Sequence, residues 1–75
     1  MSASFLTPSQ IINFLLFDLV VADTLARLRD YESQGIGALH ALRVSGLIDA
    51  EEQLEAVSQL KAQATQRRTQ LRAGQ

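Results

Sequence analysis

Asp18 is the one carboxylate inside the most apolar run of the chain, Ile11 to Val21. A carboxylate withdrawn from water must find a partner, take up a proton or reach solvent. Arg29, His40 and Arg43 are the candidates within the fold, and a basic or hydrogen-bonding group on another chain is the functional alternative. His40 is the single imidazole, and the chain has no cysteine. One histidine alone does not make a zinc site, and no nucleophile signature surrounds it. Glu51, Glu52 and Glu55 look like an acid cluster, but they fall in the first turns of a capped helix, where acids complement the helix dipole. Arg67, Arg68 and Arg72 form the basic cluster, a possible anion or nucleic-acid contact. Three cations are few where counterion release must supply the affinity, and the end of a helix favours them without any ligand. The glycines follow no phosphate-loop spacing. The expectation is a non-enzymatic chain with no metal and no cofactor.

The totals narrow the remaining classes. The chain has 75 residues, a formal charge of −1 and 47% hydrophobic residues. The slight acidity argues against a dedicated nucleic-acid binder, which carries a basic excess. The hydrophobic share is that of a globular protein. The apolar run is shorter than the roughly 20 residues a bilayer requires, and it contains Asp18. It has neither the basic lead nor the clean cleavage site of a signal peptide. No membrane span and a cytoplasmic location are therefore expected. A chain this short buries a marginal core, and such scaffolds add disulfides, a metal or a second subunit. With no cysteine and one histidine, a second subunit is the remedy left.

The elements that position these residues read as all-α. Residues 1–7 are a lead-in and 8–73 a single helical domain, with helices at about 8–33, 37–45 and 50–72. Thr7-Pro8-Ser9-Gln10 is a capping box with proline at N1, and Leu6 and Ile11 are spaced as a hydrophobic staple. The first helix is expected to end at Gln34-Gly35-Ile36-Gly37, with Gly35 in the left-handed position after it. On its projection Ile11, Phe14, Leu15, Val21, Ala22, Leu25 and Ala26 form a wide stripe, while Leu16 and Val20 break into the polar side and Phe17 borders it. A helix apolar on nearly every side is usually buried on every side. The wide stripe is assigned to the fold and the narrow one to a partner. Ala38, Leu39, Ala41, Leu42 and Val44 make a short second helix closed by Gly46. Asp49 then caps a third helix with Glu52 at N3. Its apolar seam is Ala50, Leu54, Val57, Leu60, Ala64 and Leu71.

Residues 37–63 carry the Leu39/Leu42 repeat, Gly46-Leu47-Ile48 at a turn and the acidic pair Glu51-Glu52. This segment resembles the helix–turn–helix of the SHOCT family, with Gln53-Leu54 where that family usually has an aromatic residue. The resemblance implies self-association and carries over no catalytic residue. As a DNA-binding helix–turn–helix, the same segment would enter a groove behind Asp49, Glu51 and Glu52, which phosphates repel.

Together these readings describe a helical hairpin or three-helix unit that dimerises into a helical bundle. The expected interface is Ile11, Ile12, Phe14, Leu15, Leu16, Phe17, Asp18, Val20, Val21 and Leu25. The expected function is a protein–protein interaction module, a homodimer that binds and inhibits or otherwise modulates a larger protein. Small proteins of phages and other mobile elements offer an analogy. A nucleic-acid-associated regulator using the basic end, or a structural subunit or chaperone of a larger assembly, are the alternatives.

Overall fold

Thr7 starts the first helix as its sequence requires. In the computed structural model, which describes residues 6–74, the Gln10 amide donates to Thr7 Oγ1 at 3.1 Å and the Thr7 amide donates to Gln10 Oε1 at 2.8 Å. This reciprocal box opens α1, Pro8–Val21. Two further helices follow, α2 (Leu25–Val44) and α3 (Ala50–Ala73), and the described residues contain no strand. All three helices pack against one another. The all-α reading therefore stands, while the helix boundaries differ.

The chain breaks at residues 22–24, in the middle of the helix expected over 8–33. Ala22 is extended (ψ 126°), and Thr24 caps α2 by accepting from the Arg27 amide at 3.1 Å. Asp23 and Thr24 are residue types that compete with helical hydrogen bonding and favour caps. Conversely, α2 runs unbroken through Gly35 and Gly37, where a helix end was expected. Neither glycine has positive φ. Gly35 is buried, and a Cβ built on it would sit 3.0 Å from Leu60 Cδ1 of α3. That glycine lets two helices approach closely rather than ending one of them.

Gly46 does end α2. Its φ is +78°, its amide donates to the Arg43 carbonyl at 3.1 Å, and the Leu47 amide donates to the Leu42 carbonyl at 3.0 Å. These two bonds make a Schellman closure, with glycine in the left-handed position. Three residues later Asp49 and Glu52 form the second capping box, at 2.8 and 2.9 Å, and start α3.

The buried side chains are aliphatic: Leu19, Ala22, Leu28, Leu39, Leu42, Ile48, Ala56, Leu60 and Ala64. Along its shortest axis the molecule measures 14 Å, little more than the diameter of one helix. Phe14 and Phe17 of α1 lie outside this core, while Tyr31 of α2 packs against it. The seam of α3 is centred on Leu60, flanked by Ala56 and Ala64, with Val57 and Leu71 against its edge. Leu54 and Ala50, expected in that seam, lie exposed.

Two cations tie the corner together. Arg67, near the end of α3, donates from Nε to the carbonyl of buried Ala22 at 2.9 Å. Arg68 pairs with Glu32 of α2 at 3.2 Å, both side chains partly buried. By contrast, Asp23 and Arg27 pair in the open at 3.5 Å, a geometry that adds little.

Two stability predictions follow from these contacts. Gly37 has open space around it, so Gly37→Ala should stabilise the fold by up to about 1 kcal/mol through helix propensity alone. Gly35→Ala should gain measurably less, because Leu60 is fully buried and has nowhere to retreat. Urea denaturation of the pair isolates the close approach, and equal gains would show that it imposes no constraint. Arg67→Met should cost about 1–3 kcal/mol, the range for a bond from a charged donor to a buried acceptor. The exposed Arg72→Met should stay within about 0.5 kcal/mol on the same denaturation curves.

Candidate interaction surface

Packing of α1 against α2 and α3 divides its apolar residues between two sides. Leu19 is the fully buried residue of α1, and Ile11, Ile12, Leu15 and Leu16 pack half-buried against the same core. Residues half a helical turn away point outward: Gln10, Phe14, Phe17 and Val21. Phe14 is 56% and Phe17 59% exposed, and Leu6, Val20 and Val21 are similarly open. Leu6, Gln10, Asn13, Phe14 and Phe17 line a shallow depression of about 430 Å³. No charged side chain lines it.

The expected division between the two stripes is thus corrected. Leu16, assigned to a partner, turns toward the core, whereas Phe14 and Val21, assigned to the fold, face out. The projection was carried through residues 22–24 as one helix. The break there resets the phase, so Leu25 and Ala26 do not continue the stripe of α1. Of the ten residues expected at an interface, Phe14, Phe17, Val20 and Val21 are exposed together on α1. Ile11, Ile12, Leu15 and Leu16 serve the chain's own core, and Leu25 is half-buried at the start of α2.

Asp18 is half-buried on the flank of α1. Among the described residues it takes part in no side-chain hydrogen bond or ion pair, and Arg29, His40 and Arg43 do not reach it. It therefore meets its hydration requirement at the edge of the apolar face. His40 is exposed on α2. Among the described residues, no group of three or more histidine or acidic side chains is placed to hold a metal ion. Glu52 is engaged in the cap of α3, and Glu55 lines a separate cleft of about 320 Å³ with Pro8, Ile12, Ile48 and Ala56.

The basic cluster is divided in the same way. Arg67 is held by Ala22 and also donates from Nη1 to Gln70 at 3.2 Å, and Arg68 is held by Glu32. Arg72 alone of the three is exposed. Sequence reasoning missed the structural role of Arg67 because its acceptor is a backbone carbonyl 45 positions away. The signal that could have pointed to it is the Asp23-Thr24 cap pair, which marks a corner whose last carbonyls need donors.

A second set of open apolar side chains, Val44, Leu47 and Leu54, lies around the α2–α3 turn. No described helix is long and apolar enough to cross a membrane. No protein-family model, curated protein or solved structure matches the chain.

Proposed function

We propose that the chain is a non-enzymatic self-association module that pairs with a second copy through the outer face of α1. One observation carries this reading: the two phenylalanines of the described chain stand in water, while the core is built from leucine, isoleucine and alanine. Aromatic side chains normally dominate either a core or an interface. Here the core does not hold them.

The open apolar area is of the order that pairing two chains requires. Each phenylalanine carries roughly 200 Å² of surface, so the two leave roughly 230 Å² open per chain at the exposures seen. Pairing two such faces at about 25 cal/mol per Å² yields roughly 11 kcal/mol, within the range of about 4–15 kcal/mol that association costs. Leu6, Val20 and Val21 add further open apolar surface to the same face. The depression lined by Phe14 and Phe17 has no charged side chain in it. A small core with no disulfide gives the chain reason to need the partner. The resemblance of residues 37–63 to an oligomerisation-type module points the same way.

The nucleic-acid alternative would rest on Arg72 as its exposed arginine, since Arg67 and Arg68 are engaged within the fold.

Analytical ultracentrifugation tests the reading. The wild type should sediment as a dimer in the micromolar range, and Phe14→Asp/Phe17→Asp should shift dissociation by at least about tenfold, which corresponds to about 1.4 kcal/mol. Unchanged far-ultraviolet circular dichroism would show that the variant still folds. A wild type that stays monomeric to millimolar concentration would overturn the homodimer.

A further inference from the structure

We propose that the second copy lies antiparallel along α1, about a two-fold axis that passes between Phe14 and Phe17. The inference rests on the self-association reading and adds how the two faces are oriented and what orients them.

The apolar face cannot choose a direction by charge of its own. Gln10, Phe14, Phe17 and Val21 are uncharged, and the one charged residue of α1, Asp18, sits on its flank. The same composition bears on the kind of partner. α1 has no cation to hold an anionic lipid headgroup, so a protein face suits it better than a membrane surface. Direction must come from what lies at either end of the face.

The two ends differ in charge. α1 and α3 run the same way: Pro8 and Asn13 share a cleft with Glu52 and Glu55, while Ala22 receives Arg67 from near the end of α3. α2 runs the opposite way, with its Glu32 paired to Arg68 and its last residue leading through a short turn into α3. The starts of α1 and α3 therefore share one end of the molecule. Residues 43–55 at that end carry four acids against one arginine. Residues 18–32 and 67–72 make the other end, with five arginines against four acids. One end is strongly acidic and the other slightly basic.

A parallel pair would set the two acidic ends side by side. An antiparallel pair sets each acidic end beside the arginines of the other chain. Complementarity of this kind fixes orientation and register more than it adds affinity. The helix dipoles agree with it. α1 has no acid in its first turn and no base in its last, and the antiparallel arrangement places each start of α1 by the other's end. A two-fold contact is self-complementary, so Phe14 of each chain meets Phe17 of the other, as an aromatic pair.

A single spin label reads the orientation. The wild type has no cysteine, so Ser9→Cys carries one label at an exposed position of α1. Two such backbone positions lie about 8–10 Å apart in a parallel pair of helices, and about 20 Å apart along the axis in the antiparallel one. Pulsed electron resonance on the dimer should give the longer distance. Glu55→Lys reverses an exposed charge at the acidic end, outside the apolar face. At about 10 mM salt, where screening reaches only to about 30 Å, it should loosen the dimer by at least about threefold in sedimentation. Circular dichroism checks that each variant folds as the wild type does. Labels at the shorter distance, or a dimer that Glu55→Lys tightens or leaves unchanged, overturn the antiparallel arrangement and leave self-association standing. Absence of any wild-type dimer overturns both.

Discussion

The fold turns on a change of helical phase at residues 22–24. Without it, the buried positions of α1 and α2 would lie on opposite sides of one rod, and no single hairpin could cover both. The break is made by a local contact, the Thr24 cap, and secured by a distant one, the Arg67 bond to the Ala22 carbonyl. A helix end buried without a donor for its carbonyls would be costly. Arg67 supplies that donor from the far end of α3, so the last turns of the chain close the first corner.

The rotational setting of α1 decides where its aromatic residues lie. The core is leucine, isoleucine and alanine, and Gly35 lets α2 approach Leu60 of α3 closely. Phe14 and Phe17 share the helix of Leu19 but half a turn away, and none of the three described helices covers them. The outcome is an exposed apolar face on α1. It is also the surface a second chain would need, which is why self-association is the reading that joins fold and function.

The polar residues that first suggest chemistry are largely absorbed by the fold. Glu52 completes a cap, Glu32 and Arg68 neutralise each other between α2 and α3, and Arg67 serves a backbone carbonyl. Asp18 solves its own problem by lying on a flank rather than in the core. These are structural uses of charge, and they remove most of the clusters that a linear reading could take for sites.

What the sequence determined by itself is what interactions within about five residues decide. The capping boxes at Thr7 and Asp49, the glycine closure at Gly46 and the helical character between them were all legible, because each is made by neighbours along the chain. The sequence also showed that α1 has more apolar surface than one side of a helix can bury. It did not show where the first helix ends, since Gly35 and Gly37 look like better punctuation than Asp23 and Thr24. Only the tertiary structure decided that Gly35 is a point of close approach, that Leu16 turns inward while Phe14 turns out, and that Arg67 secures a corner. Each of those outcomes depends on groups far apart in the chain, Gly35 with Leu60 and Arg67 with Ala22. Packing in three dimensions brings such groups together, and no local periodicity encodes that.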